Sequence, residues 1–150
     1  MSTDGSFKTL AKYAPYRRVG DLVYMSGVTP VEHRTGLVIR DFTDIPEQAA
    51  ELIGRTGELS VDAKQGKILA QSWHVLHTIE ETVTELGGSM DNVVKLVQYF
   101  RKLHTYPYYN RVRSLFFKNY LPVSTIVEVS DMLPSKEVLV EVEATLWLPQ

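Results

Sequence analysis

Two glutamates near the end of the chain have a spacing that suggests chemistry. Glu141 and Glu143 lie two positions apart in VLVEVEATLW, whose alternation of apolar and polar residues predicts a strand. Side chains at i and i+2 of a strand point to the same side, so both carboxylates are expected on one face of a sheet. Such a pair must reach solvent, a cation or a binding cleft. The pattern fits a wet sheet face as well as it fits a functional pair.

Serine and histidine side chains give weaker signals. Ser26 and Ser124 are the serines to test as nucleophiles, but the sequence has no G-x-S-x-G motif and no base can be placed beside either. We expect structural or ligand-binding roles for both. His74 and His77 are three apart on a predicted helix, but no acidic residue at matching spacing completes a metal site. No metal is predicted, and without a phosphate-binding glycine loop no cofactor is predicted either.

Several arginines are interleaved with tyrosines, a combination that can hold single-stranded nucleic acid. These basic and aromatic residues are Arg17, Arg18, Arg111, Arg113, Lys118, Tyr16, Tyr106, Tyr108 and Tyr109. The formal net charge of −2 gives no general attraction to nucleic acid. A solvated helix face with tyrosines at an interface is favoured, and nucleic acid is not an expected partner.

Composition predicts an ordinary globular domain. The 150 residues are enough for one core, and we expect a single domain over residues 1–150. The absence of cysteine excludes disulfides and thiolate chemistry. No segment resembles a signal peptide or reaches membrane-spanning length, so a cytoplasmic protein without membrane contact is expected.

The elements that must position these residues follow the order β-β-α-β-α-β-β. A tight hairpin is predicted around Gly20-Asp21, and apolar residues at three- and four-residue steps predict a helix over 68–86. A strand over 93–100, a helix from about Thr105, and strands over 124–129 and 138–147 complete the chain. This order predicts an α+β domain with helices on one face of a mixed sheet. Residues 37–67 form a long irregular excursion with a helical turn at PEQAAELI.

In this order, the motifs VGDLVYMSGVTP, LGGSMDNVVKLVQYF, LPVSTIVEV and VEVEA make the chain similar to the RidA/YjgF family of imine and enamine deaminases. The resemblance implies a chorismate-mutase-like fold and a homotrimer with ligand clefts between subunits. It also implies cofactor-free hydrolysis of a small-molecule 2-imino acid to a 2-keto acid and ammonia. The residues implied to shape the pocket and position the attacking water are Tyr16, Ser26, Gly27, Asn110 and Glu141.

The chain departs from the family pattern at Ser124, where the resemblance places the arginine that binds the substrate carboxylate. An arginine offers two charge-assisted hydrogen bonds and a permanent charge, whereas serine offers one hydroxyl. Losing that contact in a half-buried cleft would weaken binding on the order of a thousandfold. Standard deamination of 2-imino acids is therefore expected to be weak or absent.

Three replacements for the missing contact are open. Arg17 or Arg18, or alternatively Arg111, could place a guanidinium near Ser124. The ligand could instead be larger or uncharged, with the excursion over 37–67 acting as a lid or as a mere surface elaboration. The favoured function is a divergent imine or enamine hydrolase. A non-catalytic trimer that binds a small metabolite is the alternative, and an endoribonuclease or translation inhibitor is disfavoured by the acidic charge and the lack of a histidine pair.

Overall fold

The computed structural model describes residues 9–57 and 59–150. The main elements follow the predicted order β-β-α-β-α-β-β, but two short strands that this order lacks come after the first hairpin. The strands are β1 (Tyr16–Val19), β2 (Leu22–Met25), β3 (Val31–Glu32), β4 (Leu37–Val38), β5 (Val93–Phe100), β6 (Val123–Glu128) and β7 (Val140–Trp147). The predicted hairpin is confirmed: β1 and β2 pair as antiparallel strands, and Gly20 in their turn has a φ of +60°.

In the described part of the chain, five strands form one mixed sheet in the order β1-β2-β7-β5-β6. The pair β5–β6 is parallel, with Leu96 opposite Ser124, and the other pairs are antiparallel. The connection between these two parallel strands is helical, which is the usual way to return a chain for parallel pairing. Strands β3 and β4 form a separate small hairpin.

The helices are α1 (Glu47–Ile53), α2 (Leu59–Glu85) and α3 (Tyr106–Phe116). The predicted start of the long helix at residue 68 was wrong by nine residues, because α2 begins at Leu59. The helix ends as predicted, at Gly87-Gly88. The Gly87 amide, at a φ of +89°, donates to the Thr84 carbonyl, and the Gly88 amide donates to the Val83 carbonyl. Within residues 9–57 and 59–150, no helix has both the length and the apolar character needed to cross a bilayer.

The irregular excursion contributes to the core. Helix α1 confirms the helical turn predicted at PEQAAELI, and α1 contacts α2. Phe42, Ile45, Ala50 and Ile53 are buried in the main hydrophobic cluster, so this segment extends the packing around α2. Residues 59–67, which were predicted to belong to the excursion, are part of α2.

The two faces of the sheet differ. Along β7, Val140, Val142, Ala144 and Leu146 are buried beneath the helices, whereas the residues between them point to the opposite, helix-free face. This alternation places the predicted carboxylate pair on the face without helices. The fold is therefore an α+β domain with helices on one face of a mixed sheet, as predicted.

The side chain of Gln71, in α2, is hydrogen-bonded to the excursion and to the segment just before β7. It is fully buried. Its side-chain amide donates to the carbonyls of Ile39 and Glu137, at 2.9 and 2.8 Å, and its oxygen accepts from the Leu139 amide at 2.8 Å. Buried backbone groups need such partners, so Gln71 fixes the chain just before the strand that carries the glutamates.

Candidate functional site

A bulge after β2 brings backbone up to the carboxylate of Glu141. Tyr24 pairs with Thr145, and Val28 bridges to Val142. Between these two pairs the chain after β2 advances by four residues, whereas β7 advances by three. The extra residue displaces the chain at Ser26-Gly27, as bulges do. A side-chain carbon on Gly27 would overlap the Glu141 Oε2 atom. Glycine is needed here so that the carboxylate can lie directly on the backbone.

Glu141 is held in a setting that favours its protonated form. It is half-buried, and burial, followed by the neighbouring charge of Glu143, raises the pKa of its carboxyl. Tyr99 stands opposite Glu141 in the sheet and donates a hydrogen bond to Glu143 Oε1 at 3.1 Å. A carboxylate with a raised pKa accepts a proton more readily near neutral pH, as a general base must.

Clefts flank these glutamates on the helix-free face. One of about 440 Å³ is lined by the bulge and by the segment before β1, including Tyr13, Ser26, Gly27 and Thr29. A second, of about 330 Å³, is lined by Tyr99, Val129 and residues 131–133. Both clefts share Leu133, Glu141 and Glu143. We call this region, with Ser26 and Gly27, the glutamate half-site.

The structure places Ser26 and Gly27 beside Glu141 but Tyr16 elsewhere. Ser26 lines the larger cleft, while its hydroxyl donates to the Ala14 carbonyl at 2.7 Å. Tyr16 pairs with buried Met25 and packs against the hydrophobic core. Tyr13, which sequence reasoning missed, is the tyrosine that lines the cleft in the single chain. In the sequence, Tyr13 is marked only by being a second tyrosine, three positions before Tyr16.

The arginines expected to replace the missing guanidinium lie away from Ser124. Arg17 is exposed on the helix-free face opposite Tyr24, and Arg18 donates to the Leu148 carbonyl. The Arg111 guanidinium lies 6.0 Å from the centre of the Tyr108 ring and near Gly54. In the described chain, none of the three contacts Ser124.

Arg113 is the guanidinium that reaches Ser124. From α3, its Nη1 donates to Ser124 Oγ at 3.0 Å and to Gln98 Oε1 at 2.7 Å. Its Nη2 donates to Asn110 Oδ1 and to the Tyr106 hydroxyl, both at 2.8 Å. Sequence reasoning had placed Arg113 only in a solvated basic set. The i, i+3 spacing from Asn110 on a helix was the available signal.

Buried groups hold this arginine in place. Its guanidinium carbon lies 5.7 and 5.6 Å from the centres of the Tyr106 and Tyr109 rings. The buried Tyr109 hydroxyl donates to Gln98 Oε1 at 2.6 Å, and Gln98 Nε2 donates to Ser124 Oγ at 2.7 Å. Burial raises the pKa of Tyr109, which keeps the hydroxyl neutral. We call Arg113, Ser124, Asn110, Gln98 and Tyr106 the arginine half-site.

The two half-sites do not meet within one chain. Ser124 pairs with buried Leu96 and contacts Arg113 of α3, so it faces the helix side of the sheet. Glu141 lies on the helix-free side. The resemblance put Ser124, Asn110 and Glu141 into one pocket between subunits, and within the described residues of one chain Ser124 and Glu141 lie on opposite faces of the sheet.

The two helix histidines have separate environments. His74 is largely buried, its Nε2 lies 3.1 Å from the Val31 carbonyl, and burial lowers its pKa. His77 stacks on Trp73 with ring centres 4.4 Å apart and lies 3.7 Å from Glu80 and Glu81 oxygens. The described residues contain no group of three or more histidine, cysteine, aspartate or glutamate side chains that could hold a metal.

Known proteins match this chain over most of its length. Residues 48–147 match the model of the Endoribonuclease L-PSP family. The structure is similar to that of KP1_3112 from Klebsiella pneumoniae, which is provisionally named an endoribonuclease, with a TM-score of 0.89, 58% identity and coverage of 91% of this chain and 100% of that one.

Curated relatives are more distant in sequence. The RutC family protein PYRAB12510 of Pyrococcus abyssi is 28% identical, over 97% of this chain and 93% of the relative. The 3-aminoacrylate deaminase RutC of Acinetobacter baylyi is 25% identical, over 93% and 89%. Because the family model covers most of the chain and the fold is that of the matching structures, the chain belongs to the Endoribonuclease L-PSP family, which is the RidA/YjgF family.

Proposed function

We propose that this protein hydrolyses an imine or enamine and releases ammonia, without a cofactor, in clefts between the subunits of a cytoplasmic homotrimer. The observation that carries the proposal is the half-buried Glu141 carboxylate, which lies against Gly27 at the edge of a cleft. Its raised pKa suits a group that takes a proton from water. The substrate is a small molecule with a C=N bond, or an enamine that isomerises to one.

The reaction needs one water and one base. Glu141 accepts a proton as the water oxygen attacks the imine carbon, which gives a tetrahedral carbinolamine. That proton passes to the nitrogen, and Glu141 then moves the hydroxyl proton of the carbinolamine to its amino group, so the carbon–nitrogen bond breaks and leaves a carbonyl compound and ammonia. Backbone groups at Ser26-Gly27 and the Tyr13 side chain line the same cleft and would orient the substrate.

The placement of the half-sites supports a site shared between subunits. Glu141 and Ser124 lie on opposite faces of one sheet, so a pocket that uses both needs a second copy of the chain. Exposed apolar residues flank each half-site: Leu133 is 79% exposed beside the glutamates, and Leu121 is 84% exposed beside Arg113. Apolar surface of this kind commonly becomes buried on association.

Names of relatives point to two activities. One relative is named a 3-aminoacrylate deaminase, and 3-aminoacrylate is an enamine, which favours the proposed reaction. The endoribonuclease names favour RNA cleavage, but the net charge of −2 gives no electrostatic pull toward RNA. An RNA degradation assay of the natural protein and Glu141→Ala separates a nuclease from contamination. A protein that binds metabolites without turning them over is the remaining alternative.

The test is ammonia release from freshly generated 2-iminobutanoate and 3-aminoacrylate, corrected for spontaneous hydrolysis. Glu141→Gln should lower kcat/KM roughly 10²- to 10⁴-fold, because the amide cannot act as the base. Glu137→Gln makes the same change at an exposed position outside the cleft and should keep the natural rate. Full activity in Glu141→Gln would remove the catalytic role of this carboxylate, and no turnover of any imine or enamine would leave the binding protein as the better function.

A further inference from the structure

We propose that Arg113 of α3 binds the substrate's carboxylate, in place of the arginine that the family pattern puts at position 124. The identity of the substrate rests on the proposed function, whereas binding of a small carboxylate at Arg113 does not. The proposal starts from the charge of Arg113. Within the described residues, its hydrogen bonds go to neutral oxygens, and no aspartate or glutamate forms an ion pair with it.

The side chain of Arg113 is half-buried, and charged groups that are withdrawn fully from water are almost always paired. Removing a cation from water has a cost that a neutral partner offsets only in part. Six groups surround this guanidinium in place of a carboxylate: two tyrosine rings, two amide oxygens and two hydroxyls. They hold its position but leave its charge uncompensated, so an anion is the missing partner.

The bonds of Arg113 divide into an inner and an outer set. Nη1 has a partly buried bond to Gln98 and an exposed bond to Ser124. Nη2 has a partly buried bond to Tyr106 and an exposed bond to Asn110. A carboxylate has two oxygens and could replace the two exposed neutral acceptors, one on each nitrogen. A carboxylate brings the opposite charge to a guanidinium whose present acceptors are neutral, and bidentate Arg–carboxylate pairs add energy and geometric specificity, so this exchange is favourable while the inner bonds stay intact.

Ser124 fits this arrangement because it leaves room for one guanidinium. An arginine at position 124 would start where Ser124 Oγ now accepts from Arg113 at 3.0 Å, and two cations would compete for the same space. Like charges at contact distance are unfavourable. Positions 113 and 124 therefore compete for the space of one guanidinium in this chain.

The cavity beside Arg113 indicates the kind of acid. It has a volume of about 220 Å³ and is lined by Asn110, Arg113, Ser114, Phe117, Leu121 and Pro122. Three of these lining residues are polar, and a phenyl ring, a leucine and a proline supply the rest. This composition suits a short acid with an apolar chain of a few carbons.

The test is calorimetric titration of the full-length protein with 2-oxobutanoate, a stable product analogue, and with its uncharged amide. We expect the acid to bind more tightly than the amide. Arg113→Gln should weaken binding of the acid about 10- to 100-fold, the range for loss of a charged hydrogen-bonding group, and should leave the amide unchanged. Arg113→Gln combined with Ser124→Arg should restore binding of the acid, which a purely structural role of Arg113 would not allow.

A second variant keeps the guanidinium of Arg113 and supplies its charge with a partner inside the protein. Asn110→Asp puts a carboxylate at the atom that Arg113 Nη2 already contacts, so an internal ion pair should form and compete with the ligand. This variant should keep the fold and lose at least tenfold in affinity for the acid. It decides the question if Arg113→Gln does not fold.

Each outcome separates the two proposals. Unchanged binding of 2-oxobutanoate in Arg113→Gln or in folded Asn110→Asp would overturn the role of Arg113, as would absence of binding to the natural protein. Binding that depends on Arg113 in a protein that turns over no imine would support the carboxylate site and contradict only the proposed reaction.

Discussion

The two half-sites carry opposite charges and hold them in opposite ways. Glu141 lies beside a second carboxylate on an open sheet face, and both burial and Glu143 push its pKa upward. Arg113 carries a permanent charge and is held by neutral acceptors and aromatic rings. One half-site is arranged so that a proton can move, and the other so that a charge stays fixed.

The glutamate half-site has a cost in stability that depends on pH, whereas the cost of holding the permanent charge of Arg113 is partly offset by hydrogen bonds and does not change as Glu141 titrates. The pKa of Glu141 is raised above its ordinary value of 4.5 on folding, so protonation favours the folded state. The stabilisation that protonated Glu141 gives the folded state is fully present below pH 4.5. It is lost as the pH rises through the pKa of Glu141 in the folded protein. Under the proposed function, the group that reacts is kept in an unfavourable state, whereas the group that binds is supported on several sides.

The largest expected effect comes from Gly27→Ala in the glutamate half-site. The added carbon would overlap Glu141 Oε2, so the carboxylate has to move. Displacement by about 1 Å can cost about a hundredfold in rate, and we expect at least that loss of kcat/KM for 2-iminobutanoate. Binding of 2-oxobutanoate, which depends on Arg113, should change much less.

Gly66→Ala is the matched control for this prediction. Gly66 lies in α2, and a carbon there would be 3.4 Å from the Phe42 ring, an ordinary contact. Alanine also suits a helix better than glycine, so this variant should keep its rate. A natural rate in Gly27→Ala would show that the position of the carboxylate does not limit the reaction.

The glutamate half-site could be predicted from sequence because its geometry follows from strand alternation. Glu141 and Glu143 must share a face, and apolar neighbours at 140, 142 and 144 fix which face is buried. The same rule correctly predicted the order of the main elements. It did not predict where α2 begins, because residues 59–67 lack the clear spacing of apolar side chains that marks the rest of the helix.

The arginine half-site could not be predicted in the same way. Ser124 shows that the arginine of the family pattern is absent from β6. The guanidinium near that position belongs to Arg113 of α3, which contacts β6 only in the folded chain. The nearby candidates Arg17, Arg18 and Arg111 were chosen for their closeness in sequence to Tyr16 and Asn110. Side-chain contacts between a helix and a strand depend on packing, which spacing along the sequence does not encode.

A smaller effect compares the hydrogen bonds that support the two half-sites, by the same chemical change at a tyrosine beside each carboxamide or carboxylate acceptor. Tyr109→Phe removes a buried hydroxyl that donates to Gln98 at 2.6 Å, and should lower the free energy of unfolding by about 1–2 kcal/mol. Tyr99→Phe removes the 3.1 Å bond to Glu143 on the more open face, and should cost about 0.5 kcal/mol or less. Urea unfolding of both variants measures the difference. Equal losses of unfolding free energy would contradict the view that the arginine half-site has the stronger supporting hydrogen bond.

The smallest expected effect is a shift in the titration of Glu141 when its neighbour loses charge. Glu143 raises the pKa of Glu141 by like-charge repulsion, so Glu143→Gln should lower that pKa, while burial keeps it above 4.5. Carbon-13 NMR of labelled glutamate carboxyls, assigned with Glu141→Gln, follows the titration directly, and Glu137→Gln should leave it unchanged. High salt should give a shift in the same direction in the natural protein, because it screens the repulsion between partly exposed charges. An unchanged pKa in Glu143→Gln would mean that burial against Gly27 alone sets the basicity of the glutamate half-site, and that the second carboxylate serves only to hold Tyr99.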